Sequence, residues 1–426
     1  MLVGIDDTDS LKGGCTTYIA SVLLERLMGE KNIEFFGNLP KKLINYRFPR
    51  LIRLNPNIPY KTRGNGAVAF FVSDEDIDDK KEIIIKFVEK HSYLKDKNTN
   101  PGIVFLKDYN KISILNGFYR KAVSELVSME YAEIIAKRVN ADVYRFNNGS
   151  GIIGALAAIG ADLSKDKTYE LLAYRKKENY GKEKRIDKNS VFRMNYILYP
   201  ETFDNVDLET EQILITPKGY DPVFCGIRGE SPEIVKKAFG TIKPLEDIER
   251  IQIFETNQAT DAHLRERRIY ELNAYDCAIL NGVVSREPKT IEGGHVIFGL
   301  KDNTGEIDCA AYEPTGNFRD VIRKLIVGDR IRVYGGIGKY LTTLNLEKIQ
   351  IMKLGRIYKK EVPVCCGKKM TSAGKGKGFK CKKCGKKVGN DSMVLEEISR
   401  DIDLGLYEVP PRARRHLSKP LVRILG

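Results

Sequence analysis

No stretch of this 426-residue chain approaches the roughly 18–20 consecutive apolar residues that a membrane-spanning helix requires. Its first nine residues, MLVGIDDTD, lack the basic and apolar regions of a secretory signal, so a soluble, cytoplasmic protein is expected. Tryptophan is absent, which decides nothing. There is no Walker A sequence, so any phosphate-handling loop must be built differently. Disulfides are not expected either. Four of the eight cysteines, Cys15, Cys225, Cys277 and Cys309, stand alone, and the other four cluster at 365–384, which without a secretion signal favours metal.

What is present is 42% hydrophobic residues, enough for several cores, in a length that suits about two to four domains. The net charge is +14, and it is unevenly placed. From Arg356 to the last residue there are 18 Lys+Arg against 7 Asp+Glu, which leaves only +3 on everything before. A basic end suits a phosphate backbone; a solvated tail that aids solubility is the plain alternative.

The opening reads as a short strand, Leu2–Ile5, that runs into Asp6, Asp7 and Asp9, then Gly13-Gly14, then a helix from about Thr16 to Met28. Ile19, Val22, Leu23 and Leu27 give that helix one core-facing side. A second loop, Lys61–Gly66, precedes a strand over 67–72, and helices are expected over 74–91 and 121–139. A glycine-bearing segment at 146–151 leads into the small, apolar stretch 152–159, and 190–260 reads as alternating strands and loops. From Ala274 five strands follow, at about 275–285, 294–301, 305–312, 329–336 and 343–351. A helix at about 317–325 lies between the third and fourth, which is the OB-fold order.

Three carboxylates within four residues at a strand end suit magnesium, which takes hard oxygen ligands beside phosphate oxygens; aspartates also simply favour turns. Thr16 and Thr17 stand where the helix begins and suit either capping or phosphate contact. Lys61, Arg63, Gly64, Asn65 and Gly66 suit an ATP phosphate, and equally a hairpin turn. In the OB region Tyr275, Phe298, Tyr312 and Tyr340 can stack on bases or fill the core. Cys381 and Cys384 form a zinc knuckle whose partner lacks the usual spacing. Pro363 stands three before Cys366, which leaves three readings: Cys365 supplies the missing thiolate from the adjacent position, the metal has three thiolates and a borrowed ligand, or the ribbon is metal-free, with zinc favoured. Arg412, Arg414, Arg415 and Lys419 lie in a proline-interrupted basic tail that suits phosphate.

Several stretches together resemble one family. They are GIDDTD at Gly4–Asp9, GCTTYIA at Gly14–Ala20, RLNPNIPYKTRGNGAVA at Arg53–Ala69 and GIIGALAAIGA at Gly151–Ala161. DPVFCGIRGE at Asp221–Glu230, TNQATDAH at Thr256–His263 and ARRHLSKPLVR at Ala413–Arg423 complete the set. In order and over nearly the whole chain they are similar to the archaeal 2-agmatinylcytidine synthetases of the minor isoleucine tRNA, the agmatidine synthases.

The resemblance implies a multidomain α+β protein. A kinase-like α/β catalytic domain would span 1–115, with part of 190–265 able to return to it, and a ferredoxin-like domain 116–265. An OB-fold β-barrel would span 272–355, and a zinc ribbon with the basic tail 356–426. The implied reaction is ATP-dependent: agmatine replaces the oxygen at ring position two of the wobble cytidine, through a phosphorylated cytidine, so that a CAU anticodon reads AUA. Asp6, Asp7 and Asp9 would be the magnesium site, and a phosphorylatable threonine falls on Thr16-Thr17, with Thr17 preferred. Lys61 and Arg63–Gly66 would face ATP; Gly151, Gly154, Asn257, Gln258 and Asp261 are nominated for agmatine. Arg412, Arg414, Arg415 and Lys419 would hold the tRNA, and Cys365, Cys366, Cys381 and Cys384 a structural zinc.

Two other classes are weighed against this. A non-catalytic single-stranded nucleic-acid-binding protein explains 275–426 but leaves the acidic loop and the RGNG loop without a task. A lysine-using tRNA ligase would carry an SGGxDS pyrophosphate loop, which the chain lacks. Oligomeric state is left open.

Overall fold

In the computed structural model, residues 1–28, 48–61, 64–219 and 222–425 are described. Arg63 of the second loop therefore lies outside the described residues.

A nine-stranded sheet forms the first two-thirds of the molecule. Its strands are β1 (Leu2–Asp6), β2 (Arg50–Arg53), β3 (Gly66–Phe71), β4 (Gly102–Leu106), β5 (Asp142–Arg145), β6 (Thr168–Arg175), β7 (Thr202–Phe203), β8 (Val223–Gly229) and β9 (Ile248–Thr256). Their spatial order is β5-β4-β1-β3-β2-β9-β6-β8-β7. Neighbours are antiparallel except at one joint, where β2 meets β9 in parallel through Arg50↔Glu255 and Leu51↔Thr256. Two antiparallel half-sheets are thus fused at a single seam. Arg50, fully buried, bridges it by facing Glu255 at 3.6 Å and donating to Ala161 O at 2.8 Å.

Helix α1 (Thr16–Met28) and α2 (Ile77–His91) cover one face of the first half, with Ile19, Leu23, Ile84 and Val88 in the core beneath them. On the other face lie α3 (Ile112–Ala122), α4 (Met129–Arg138) and α5 (Ile152–Ile159). The single helix expected over 121–139 is two helices. Ser124 bonds back to Arg120 O at 2.7 Å as α3 ends, and Ser128 caps α4 by accepting from Tyr131 N at 3.2 Å. Apolar periodicity ran through both, so only the two serines marked the break. The boundary read at 115/116 falls inside α3, and α3 to α5 pack with the first half-sheet.

In the second half the expected strands and loops of 190–260 include two helices, α6 (Lys188–Leu198) and α7 (Pro232–Thr241). Their start signals are present in the sequence. Asp187 accepts from Ser190 N, and Ser231 accepts from Ile234 N just ahead of Pro232 at the first turn. Their buried residues, Val191, Met194 and Leu198 in α6 and Ile234, Val235 and Ala238 in α7, fill one core.

The barrel matches the pattern read from sequence closely. Strands β10 (Cys277–Thr290), β11 (Val296–Lys301), β12 (Glu306–Ala311), β13 (Arg330–Ile337) and β14 (Thr343–Lys353) close when β13 pairs back onto β10, and α8 (Phe318–Arg323) sits between the third and fourth. The expected multidomain α+β architecture with an OB barrel and a C-terminal ribbon is the one present. The chain returns from the ribbon to add β15 (Gly405–Glu408) beside β14. Among the described residues, no helix is long and apolar enough to cross a membrane.

Candidate active site

The acidic loop leaves the end of β1 and is held on all sides. Asp7 is left-handed, at φ 58°, and its Oδ2 accepts from Asn100 N at 3.2 Å and Ser150 Oγ at 3.3 Å. Thr99 Oγ1 donates to Asp9 O at 2.8 Å. Asp6 lies beneath α5, which can approach only because Gly154 has no side chain: a Cβ there would fall 1.8 Å from Asp6 Oδ2. Gly151 is tight as well, though less so, with a Cβ position 2.6 Å from Asp6 O. The two glycines nominated for substrate thus form the close fit between α5 and the acidic loop.

Burial first, and then the neighbouring charge of Asp7, raises the Asp6 carboxyl well above the usual range. Burial, then Asp9, pushes Asp7 up to about 7. Asp6 Oδ1 accepts from Asp7 N at 2.7 Å, so the Asp6 carboxylate is turned into the protein. Among the described residues the three aspartates do not form a group whose ligand atoms all lie within 4.8 Å of one another, as the ribbon thiols do. Thr8, between Asp7 and Asp9, places its Oγ1 3.0 Å from Thr16 Oγ1. Thr17 instead turns its Oγ1 to Cys15 Sγ, also 3.0 Å away.

β2 and β3 pair antiparallel from Arg50↔Ala69 to Arg53↔Gly66, and between them residues 54–61, 64 and 65 are described. Asn65 is left-handed and donates to Asn55 O at 2.8 Å, Leu54 N donates to Asn65 O at 2.9 Å, and Gly66 opens β3. Lys61 donates to Pro56 O. Gly64 O accepts from Arg53 Nη1 at 3.4 Å.

Three residues nominated for agmatine are internal ties. Asn257 is fully buried and brackets Arg53, accepting from its N at 2.8 Å and donating to its O at 2.9 Å. Gln258 donates to Glu170 Oε2 at 2.5 Å. Asp261 accepts from Lys348 Nζ at 2.6 Å and Lys419 N at 2.7 Å. Behind these lies a cluster that sequence reasoning did not nominate. Glu170, 3% exposed, lies 3.6 Å from Arg53 and 3.3 Å from Arg228, and Arg228 also meets His416 Nδ1 at 2.8 Å. All but Glu170 stood inside the quoted motifs, yet they come from stretches far apart in the chain, and no spacing rule joins them.

The basic tail is not a free surface. Arg412 pairs with Asp207 and Glu209, Arg414 with Asp204 and Glu408, Arg415 with Glu347 at 3.7 Å, and Lys419 with Asp166 at 2.8 Å. Its backbone is tied as well, through Ala259 N to His416 O and Asp261 N to Leu417 O, both 2.8 Å. The tail straps the second half-sheet to the barrel. Of the four aromatics, Phe298 is in the barrel core, while Tyr312 and Tyr340 are exposed.

In the ribbon, the sulfur atoms of Cys365, Cys366, Cys381 and Cys384 all lie within 4.8 Å of one another. Adjacent cysteines can both face this point because Cys366 is left-handed, at φ 51°, and Gly367 follows at φ 78°. Backbone N–H groups of Cys384 and Lys383 draw the Cys381 thiol down to about 6. Four thiols at that separation fit tetrahedral zinc, with Zn–S bonds of about 2.3 Å.

An OB barrel with a cysteine ribbon, joined to a sheet that carries a three-aspartate loop, defines a nucleic-acid-binding protein with a catalytic half. Residues 278–352 match the OB-fold nucleic acid binding domain. Residues 2–74 match the TiaS TCKD domain, 149–263 the TiaS FLD domain and 362–402 the TiaS C-terminal zinc ribbon domain. The chain is 47% identical to the tRNAIle2 2-agmatinylcytidine synthetase TiaS of Methanocaldococcus jannaschii, over 99% of this chain and 98% of the relative. It is 46% identical to that of Archaeoglobus fulgidus, over 99% and 97%. A solved apo TiaS superposes with TM-score 0.87 at 45% identity, covering 99% of this chain and 97% of that one. A TiaS–tRNAIle2–AMPCPP–agmatine complex superposes with TM-score 0.84 at 42% identity, covering 99% and 96%. The chain belongs to the TiaS family of tRNAIle2 2-agmatinylcytidine synthetases.

Proposed function

We propose that this chain is the ATP-dependent ligase that conjugates agmatine to ring position two of the wobble cytidine of tRNAIle2, so that its CAU anticodon reads AUA. The observation that carries the reading is the acidic loop itself: three aspartates crowded until two resist ionisation, in a chain related end to end to these synthetases.

A carbonyl oxygen is a poor leaving group. The cytidine oxygen first takes a phosphoryl group from ATP, forming a P–O bond as a phosphoanhydride bond breaks. The primary amine of agmatine then forms the C–N bond, loses a proton, and phosphate departs with the oxygen. Asp6, Asp7 and Asp9 would hold magnesium, which when bound neutralises charge on the transferring phosphate. The chain's own part is to fix those carboxylates, through Asn100, Ser150 and the packing of Gly154. Of the threonine pair we favour Thr16 as the phosphate acceptor rather than Thr17, because its hydroxyl meets Thr8 inside the acidic loop. The catalytic unit on this reading takes in α5 and so runs from residue 1 to about 159, rather than ending at 115. The barrel and the ribbon, with its zinc, present the anticodon, and the reaction belongs to the cytoplasm, where tRNA and ATP are found.

The test is agmatine-dependent ATP turnover with tRNAIle2, comparing wild type with Asp7→Ala. Turnover by wild type that falls at least a hundredfold in the variant supports the reading. Equal turnover in both, or none that depends on agmatine, rejects it.

A further inference from the structure

A cavity of about 350 Å³ opens between the β2–β3 hairpin and the C-terminal tail. Arg53, Lys61 and Gly64 line one side and Arg415 and His416 the other, with no carboxylate residue among the lining residues described. The surrounding charges do not balance. Arg53 and Arg228 share Glu170, Arg228 and Arg414 share Asp204, Arg414 also takes Glu408, and Arg415 leans on Glu347. Glu347 is in addition bonded to His263 at 3.0 Å. Lys61 pairs with no carboxylate among the described residues, and its ammonium meets only Pro56 O. Arg53 Nε is buried with no hydrogen-bond partner among the described residues. A part-buried site with surplus cations and an unused donor favours an anion.

His416 supplies the direction. Arg228 Nη2 lies 2.8 Å from its Nδ1, and a guanidinium can only donate, so Nδ1 accepts. Burial, then the charges of Arg53, Arg228 and Lys61, keep the imidazole neutral by holding it well below its usual range. The ring proton is therefore on Nε2. That atom lies 3.6 Å from where a Gly64 side chain would begin, across the mouth of the hairpin, and no described residue accepts from it.

We propose that this pocket binds a phosphate group through Lys61, Arg53 and the Nε2–H of His416, so that the C-terminal tail contributes to substrate binding as well as to the fold. The inference rests on the proposed function, which supplies two phosphate sources, the nucleotide and the RNA backbone.

Full-length protein is titrated with Mg-ATP alone, and separately with tRNAIle2 alone over a range of salt. Lys61→Ala and His416→Ala are each expected to weaken the same one of these ligands about tenfold, the loss of one charge-assisted hydrogen bond. A loss confined to Mg-ATP supports the pocket and assigns it to nucleotide phosphate. A loss confined to tRNA, with a salt dependence shallower by about one contact in Lys61→Ala, supports it and assigns it to the RNA backbone. His416→Gln, whose amide can donate from near the Nε2 position, is expected to recover most of the affinity. Wild-type affinity for both ligands in both variants overturns the proposal. So does equal weakening of both ligands with a lowered melting temperature, which marks a purely structural role. Lys61 makes no ion pair among the described residues, so its removal keeps the proposal falsifiable if His416→Ala fails to fold. These are binding readouts, so a failure of agmatine-dependent turnover and a failure of this pocket are separately visible.

Discussion

Asp6 and Gly154 occupy one space: the carboxylate of the first lies where the side chain of any other residue at 154 would begin, 1.8 Å from the position of its Cβ. The acidic loop therefore keeps its shape only while α5 presents a glycine there. Gly154→Ala is expected to displace Asp6 or lift α5, at a stability cost of about 1–3 kcal/mol, with more than tenfold loss of ATP turnover. Thermal melts and turnover assays on the purified variant check this. Near-normal turnover would show that Asp6 need not be where it is.

Crowding within the loop has an opposite consequence for stability. In the absence of divalent cations at pH 8, Asp7→Asn removes a charge that burial and Asp9 both disfavour, and is expected to stabilise the fold by about 1 kcal/mol while abolishing turnover. Melting curves in chelator, set beside activity, test both halves. A destabilised Asp7→Asn protein would argue that the charge is already neutralised within the chain.

The barrel is joined to the tail through Glu347, whose carboxyl is drawn down to about 2 by His263, Arg415 and Lys348 against the cost of its burial. A depressed acid adds stability above its unfolded value, about 4.5, and loses it as pH falls toward 2. The contribution is on the order of 3 kcal/mol at pH 6. Wild type should melt well above Glu347→Gln at pH 6, and the two should converge near pH 2. Parallel curves throughout would remove Glu347 from the acid limb.

Tail cations act as struts, and two measurements separate that role from RNA contact. Arg414→Ala leaves part-buried Glu408 without its arginine and Asp204 with only the longer contact to Arg228 at 3.8 Å, and is expected to cost about 3 kcal/mol. Arg412→Ala, by contrast, should leave the salt dependence of tRNA binding as it is, because Asp207 and Glu209 already hold that guanidinium. A slope reduced by about one would return Arg412 to the RNA interface.

One zinc per chain is expected, bound by all four cysteines. Cys384→Ser should release it at lower chelator concentration, and stripping it should weaken tRNA binding while Mg-ATP affinity holds. Zinc assay by colorimetric chelator, followed by the two titrations, decides it. Unchanged tRNA affinity in the stripped protein would detach the ribbon from recognition.

Elements governed by local chemistry were legible in the sequence. The barrel strands could be placed within a few residues because alternation and turn glycines mark each one. The strand, aspartates, paired glycines and first helix followed the same kind of local order. Helices α6 and α7 stand where strands and loops were expected, and their caps at Asp187 and Ser231–Pro232 are the local signals that mark them. Adjacent Cys365 and Cys366 looked like a defect in the knuckle until the left-handed backbone at Cys366 brought both thiols to one point.

By itself the sequence determined which side chains stand together along the chain and so became the proposed sites: the aspartate triplet, the threonine pair, the four clustered thiols and a basic end. Only the tertiary structure decided what surrounds them. The parallel joint of β2 with β9 brings Arg53 to Glu170, and the returning tail brings His416 to Arg228 and sets Arg412 and Arg414 against carboxylates from residues 204–209. Charge is a property of composition, but whether a cation meets RNA or a buried carboxylate depends on which distant segments the fold lays side by side.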